Sequence, residues 1–484
     1  MLIGTIAALV LSQQPFVEGP RSGPLAGEVI GKVDADRCFQ TVEKLCSFGT
    51  RHTLSPSDDP KRGAAAAREW LRKEFELAGK GTLSGMTVTL EEFAVPRMQR
   101  LPDGAKVVNV VAVLPGTMKE AEGRRYYVVG HLDTINGDRM DGKGDAPGAN
   151  DDASGVAVVL ECARALAGQR LDATIVFLCT GGEEQGLVGA RFHAKAAAER
   201  GERVMGVLNN DIVGDPSPRV WTSHVNSQQR SRQRDLERAE PRFPFVRVFS
   251  EGVPKNASAA EFERYRLEGA ESDSPSRQLA RFVPEVAQRE STRIRPIKVF
   301  RQDRFLRGGD HAAFNESGFA AVRFTVPGED YTRQHVDVTE KDGKPYGDLP
   351  SFVDGRYVGA VAELNAATLM HLANAPSPPP RARIVAKELS TDTLLRWDAS
   401  PEPDVAGYEV LIRDTTEADW REVVHVGNVT EIRTPVSKDN VFFAVRAYDR
   451  DGWVSPAAFC WAERAAPAGE GTGGTERRES QPQK

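Results

Sequence analysis

The chain has 484 residues, a formal net charge of -6 and no basic block that dominates it, a balance that argues against nucleic acid as the partner. Its length exceeds what one compact core of ordinary size holds, so at least two domains are expected. Five cysteines, an odd number in so long a chain, imply no disulfide framework.

Residues 2–11 are apolar, of the length of a signal-peptide hydrophobic region and too short to span a bilayer. No Lys or Arg precedes them, so the cationic start of such a peptide is missing. Export, with residues 1–20 as the signal, is favoured over a non-exported reading, and no later segment is apolar for long enough to cross a membrane. Residues 13–35 read as extended, and 36–47 and 61–78 as helices. Cys38 and Cys46 on the first of these are roughly 12 Å apart in rise, beyond disulfide reach. His52, in the loop between the helices, is expected to be solvated or to cap a turn. Residues 86–95 and 106–114 alternate as strands and should form the sheet edge before the strand at 125–129.

That strand carries His131 and Asp133 at its carboxyl end, and the Gly/Asn/Asp loop 147–155 then opens a helix over 155–167. Two further strands repeat the arrangement: 173–179 leads into Gly181-Gly182-Glu183-Glu184, and 204–210 ends at Asp211. The carboxyl ends of strands in an open α/β sheet are where ligands bind. A lone acid at such a place is ordinarily a solvated loop carboxylate. Acids at three successive strand ends, with an imidazole among them, repel one another unless a cation neutralises them. Cys162 and Cys179 read as small core residues.

Beyond Asp211, residues 214–295 read as an insertion, either a surface excursion or a lid over the cleft. A helix at 274–290, strands at 294–300 and 320–326, and a closing helix at 355–372 follow. The run Ala375-Pro376-Ser377-Pro378-Pro379-Pro380 reads as a stiff linker. Past it, short segments of two-residue periodicity over 381–462 have β-sandwich patterning. The tail, 463–484, lacks apolar residues and should be disordered.

The set His131-Leu132-Asp133, Pro147-Gly148-Ala149-Asn150-Asp151-Asp152-Ala153-Ser154-Gly155, Gly182-Glu183-Glu184-Gln185-Gly186-Leu187-Val188-Gly189-Ala190 and Asn210-Asp211-Ile212-Val213-Gly214 resembles the co-catalytic di-zinc exopeptidases, which include secreted bacterial leucyl aminopeptidases and the glutamate carboxypeptidase ectodomain. The resemblance spans about 40–372. It implies a mixed, mostly parallel α/β sheet with helices on both faces and a site for two zinc ions. Asp151 would bridge them, with His131 and Asp211 completing one site and Glu184 and a distal histidine the other. It also implies a cis peptide at Asp151-Asp152. Asp133 would orient the His131 ring, and Glu183 would be the general base. Of eight histidines, the distal ligand is assigned to His335, after a late strand, over His311 in Gly309-Asp310-His311. Two departures are Gln334, where Tyr is common before the last ligand, and Gly309, where Ser is common, with Arg307 three residues before Asp310; both bear on substrate preference.

The expected function is that of a secreted or cell-envelope metallo-exopeptidase, an aminopeptidase acting on peptide substrates. The alternatives are a carboxypeptidase or amidohydrolase on the same fold, a glutaminyl-cyclising enzyme with one zinc, or a non-catalytic binding ectodomain. Glu183 beside every ligand candidate argues against the last, since a binding protein has no use for a general base. The module over 381–462 resembles fibronectin type III and is expected to be a spacer or a surface or protein tether.

Overall fold

The computed structural model describes residues 19–20, 23–216, 244–387 and 390–463; residues 1–18 of the expected signal region and the tail beyond residue 463 lie outside the described residues. Three helices, α1 (Gly27–Ile30), α2 (Ala35–Cys46) and α3 (Gly63–Ala78), precede strands β1 (Thr87–Val95), β2 (Ala105–Leu114) and β3 (Arg124–His131). Then come α4 (Ser154–Leu166), β4 (Thr174–Thr180), α5 (Val188–Glu199), β5 (Arg203–Asn210), β6 (Phe245–Ser250), α6 (Ala259–Leu267), α7 (Pro275–Glu290), β7 (Arg295–Val299), α8 (His311–Glu316) and β8 (Ala321–Thr325). A small hairpin, β9 (Thr339–Lys341) and β10 (Lys344–Tyr346), leads to the long helix α9 (Gly355–Asn374).

Eight strands form one mixed sheet in the order β1-β2-β4-β3-β5-β8-β6-β7. β4, β3, β5 and β8 run parallel to one another. β1 is the edge strand as expected, but β4 intervenes between β2 and β3, so the pair β1–β2 does not adjoin the His131 strand. β3 is covered on both faces because its residues alternate. Tyr126 and Val128 face the larger core, shared with α2, α3, α4, α7 and α9. Tyr127 and Val129 face the smaller one, shared with α5 and α8. An apolar run on every second residue of both faces therefore places β3 centrally and aims its carboxyl end at the sheet edge. All five cysteines are free and buried.

The reading of 214–295 as an insertion is corrected for the part described here. Phe245–Ser250 pairs with β8 and β7 inside the sheet, and α7 contributes Leu279, Phe282, Val283 and Val286 to the large core. Residues 217–243 lie outside the described residues.

The linker reading is also corrected. Residues 375–377 are buried; the Ser377 N–H and hydroxyl donate to Glu402 at 3.0 and 2.6 Å, and Arg124 donates to the Ala375 carbonyl at 2.9 Å. The segment is docked, not a free spacer. Beyond it, β11 (Arg383–Ile384), β12 (Thr393–Arg396), β13 (Val405–Asp414), β14 (Glu422–Gly427), β15 (Glu431–Thr434), β16 (Val441–Asp449), β17 (Ala458–Phe459) and β18 (Trp461–Ala462) form two four-stranded sheets that share a core containing Trp397, Tyr408, Val410 and Phe443.

This C-terminal unit is fastened to α6 and α7. Buried Asp273 pairs with Arg281 at 3.2 Å and with Arg413 of β13. The Arg413 guanidinium lies 4.4 Å from the ring centre of Phe442, and Trp420 donates to Gln278 at 3.1 Å. Nearby, Glu290 at the end of α7 accepts the N–H groups of Leu25 and Ala26 at 2.8 and 2.9 Å. It also lies 2.7 Å from His371 Nε2, whose ring meets Trp453 edge-on with centres 4.8 Å apart.

Candidate metal centre

The parallel strands deliver their ends to one edge. His131 closes β3, Glu183 and Glu184 follow β4, Asp211 follows β5, and His335 comes from the loop after β8. The segment Ala149–Ala153 crosses in front of them with a cis peptide between Asp151 and Asp152, as the resemblance implied. Gly155 permits the crossing, because a Cβ there would meet the Asn210 carbonyl oxygen at 2.2 Å and Asp152 Oδ2 at 2.4 Å.

The five expected ligands converge around Asp151. Its Oδ1 lies 2.9 Å from His131 Nε2, and its Oδ2 lies 3.0 Å from His335 Nε2. Glu184 Oε1 is 2.8 Å from that same His335 nitrogen, and Asp211 Oδ1 is 4.0 Å from His131 Nε2. One carboxylate thus serves two donor sets. His311 does not belong to either: it is fully buried beside the Gln302 carbonyl at 3.0 Å, and burial drives its ring down to about 4 despite nearby Asp303. His52 is buried, not solvated, and its Nδ1 accepts the Leu54 N–H at 2.9 Å. His193 lies between Glu91 and Tyr127.

Donor chemistry fits a divalent cation. Nδ1 of His131 is 3.1 Å from the Asp133 carbonyl oxygen. That oxygen can only accept, so Nδ1 carries the proton and the Nε2 lone pair faces the pocket. Glu184 Oε1 and His335 Nε2 are buried and have no hydrogen-bond geometry with any partner, although they lie 2.8 Å apart. Two lone-pair donors so placed are satisfied by a third body between them. Asp152 also comes within reach of His131 and Asp211, but it spends its oxygens on main chain. Oδ2 accepts the His131 N–H at 2.9 Å, and Oδ1 accepts those of Gly155 and Ile212 at 3.0 and 3.3 Å. Asp151 is therefore the better donor.

Electrostatics carry the same message. Burial pulls the His335 imidazole down, yet Glu184 and Asp151 outweigh it and hold the ring up at about 10. Burial likewise opposes charge on His131, and Asp152, Asp151 and Glu183 hold it well above its ordinary value. Burial pushes the Glu183 carboxyl well above its usual range and Asp310 to about 7.

Asp133 departs from its expected role. Its carboxylate lies 3.9 Å from His131 Nδ1 and instead accepts the main-chain N–H groups of Glu183 and Glu184 at 3.0 and 3.1 Å. The imidazole is oriented by the main-chain carbonyl of Asp133, while the side chain holds the two-glutamate turn.

Three positioning residues escaped the sequence reading. Arg51 is fully buried and donates to the carbonyls of Leu132, Pro147 and Gly148 at 2.7, 2.5 and 2.9 Å, tying the His131 loop to the Asp151 loop. Asp348 accepts the N–H groups of Asn150 and Asp151 at 2.8 and 2.7 Å. Arg323, fully buried on β8, donates to Asp211 Oδ1 at 2.7 Å. Only Arg323 left a trace in the sequence, as a charged residue amid the apolar strand Ala321–Thr325. Gln334 was noted as a departure, and its amide donates to Asp151 Oδ2 at 2.7 Å while Arg307 donates to its oxygen at 3.1 Å.

A sequence model described as peptidase family M28 matches residues 109–346. A probable zinc metalloprotease of the fungus Leptosphaeria maculans is 39% identical over 432 residues, covering 89% of this chain and 95% of that protein. Another, from Pyricularia oryzae, is 42% identical over 434 residues, 88% of this chain and 82% of that protein. Among solved structures, the Legionella pneumophila LapA aminopeptidase is similar with a TM-score of 0.49 at 16% identity, over 75% of this chain and 79% of that one. A glutaminyl cyclase of Fimbriiglobus ruber is similar with a TM-score of 0.46 at 19% identity, over 74% and 99%. The family match over the sheet and its strand-end acids, together with relatives aligned along nearly nine-tenths of the sequence, shows that this chain belongs to peptidase family M28.

Proposed function

We propose that the protein is a zinc-dependent exopeptidase, an aminopeptidase that hydrolyses the N-terminal bond of peptides. The observation that carries this reading is the placement of Asp151 with one oxygen toward His131 and the other toward His335. Such a carboxylate can be shared by two cations about 3.5 to 4 Å apart. His131, Asp151 and Asp211 would hold one zinc, and Asp151, Glu184 and His335 the other. Bound there, the ions supply Lewis acidity toward the scissile carbonyl and toward water.

The chain's own residues supply the rest. Glu183 has its main chain fixed by Asp133, and its raised proton affinity suits a group that takes a proton from water and returns it to the leaving amine. A free substrate amine could meet Glu183, which is only partly buried at the pocket; this favours the aminopeptidase reading over a carboxypeptidase or amidohydrolase on the same scaffold. Export, and a fibronectin type III-like module that tethers the enzyme, belong to the same proposal; they rest on the apolar start and on the strand pattern of 381–462.

Zinc chelation should abolish hydrolysis of an aminoacyl anilide, and added zinc should restore it. Glu183→Gln should keep its metal while turnover drops about 10² to 10⁴-fold, the scale for a general base. Full activity in that variant defeats the mechanism. Comparing free, N-acetylated and C-amidated peptides separates the two exopeptidase directions: an aminopeptidase loses only the acetylated substrate.

A further inference from the structure

The two halves of the pocket differ in one respect that the family motifs do not predict. Asp211 Oδ1, the oxygen that lies 4.0 Å from His131 Nε2, already accepts Arg323 Nη2 at 2.7 Å. Arg323 cannot swing away. It has no exposed surface, its Nη1 donates to Asp303 Oδ2 at 2.9 Å and to the Gly308 carbonyl at 2.5 Å, and the surrounding carboxylates keep it charged despite its burial. Behind it the positive charge continues. Arg304 pairs with Asp303 at 3.1 Å and with Glu329, and Arg247 and Arg307 reach Glu329 at 3.3 and 3.5 Å. Four guanidinium groups thus face Asp303, Glu329 and Asp211.

In the other half, among the described residues, no guanidinium reaches a ligand carboxylate; Arg100 donates only to the main-chain carbonyl of Glu184, at 2.5 Å. Among the described residues, the ion-pair contacts of Asp151 and Glu184 are with imidazoles alone, and Gln334 brings only a neutral amide to Asp151. Gly309 completes the contrast. A Cβ at that position would lie 2.8 Å from Asp211 Oδ2 and 3.0 Å from Arg323 Nη1, so the glycine leaves room for the Asp211–Arg323 pair. Asp152 lies within reach of His131 and Asp211, and Asp310 is on the same side, but the Asp152 oxygens already accept main-chain N–H groups, and neither acid changes which ligand oxygen Arg323 holds.

Resting on the two-cation reading above, we infer that Arg323 makes the metal positions unequal. The Asp151–Glu184–His335 position fills first. The His131–Asp211 position fills second and exchanges readily, because a divalent ion there sits against a fixed guanidinium in a medium that screens poorly. Arg323 is a positioning residue: it acts through Asp211.

The test is zinc binding to the full chain across a series of buffered free-zinc concentrations, with bound metal counted per chain. The expected isotherm has two steps, one equivalent each, with midpoints at least about tenfold apart, equal to about 1.4 kcal/mol. His335→Asn should remove the tight step and His131→Asn the weak one. Arg323→Lys should preserve the order, and Arg323→Gln should narrow the gap. If the latter does not fold, the two histidine variants still decide the assignment. Two equivalents within threefold of each other, loss of the tight step in His131→Asn, or an unchanged gap in folded Arg323→Gln overturns the inference while leaving the metal reading intact. No zinc bound at any concentration overturns both.

Discussion

Two regions of this molecule bury charge, and they do so in opposite ways. Where the C-terminal sheets meet α7, Asp273 is enclosed by Arg281 and Arg413, with aromatic faces of Trp420 and Phe442 against the guanidinium of Arg413. Where the parallel strands end, Asp151, Glu184 and Glu183 collect around two imidazoles, and His335 keeps over a quarter of its side-chain surface open to solvent. In the seam, two guanidinium groups offset the buried acid. In the pocket the acids outnumber the bases, and Asp151 and Glu184 bring oxygens to within 3.0 and 2.8 Å of His335 Nε2. Buried charge that the chain itself neutralises marks architecture, and buried charge left for an external ion marks chemistry.

That contrast can be broken from either side. The largest effect is expected from Asp151→Ala: turnover should fall to background, by about 10⁴-fold or more as for groups that act as a unit, with zinc content reduced and the fold retained by circular dichroism. Asp273→Asn should do the reverse. Leaving two guanidinium groups underpaired in the seam should cost about 3 to 5 kcal/mol in chemical denaturation, while the folded fraction keeps its zinc and its specific activity. An equal loss of zinc in both variants would show that the two regions are not separable.

Arg51 sharpens the comparison because it is buried like a seam residue yet serves the pocket. Arg51→Met should lower zinc affinity about 10- to 100-fold, the scale for partners just outside a metal's ligands, read by competition with a chelator. The smallest effect belongs to neither region. Arg356, paired with Asp354 on an open surface at 3.3 Å, should change stability by less than about 1 kcal/mol on conversion to Ala, within the range of exposed ion pairs.

Much of the pocket was legible because its chemistry rides on local patterns. His131, Glu184 and Asp211 each follow an apolar strand, and a strand's end is visible in one sequence. His335 required the resemblance, since nothing local distinguishes it from His311; its contacts with Asp151 and Glu184 come from a loop about 150 residues or more away in the chain. Arg51 and Asp348 were invisible for a different reason. Their partners are main-chain groups of remote loops, and such contacts leave no spacing to read. The sheet order failed at β4 because a parallel neighbour is reached by crossover, which periodicity does not report. β6 was lost in the insertion for want of context: Phe245–Ser250 alternates as a strand should, but a polar stretch precedes it. The Pro-rich segment read as a spacer because composition cannot show that Glu402 waits 25 residues onward to hold Ser377.

The pin at Glu290 joins residues 25 and 26 to the closing helix α9 and, through His371, to Trp453 of the C-terminal unit. During synthesis, residues 25 and 26 leave the ribosome long before Glu290 exists, so their fastening waits for α7, and His371 and Trp453 join it later still. The nascent α/β core therefore waits with one end loose until α7 is made, and a chain cut before Glu290 would leave that end unfastened.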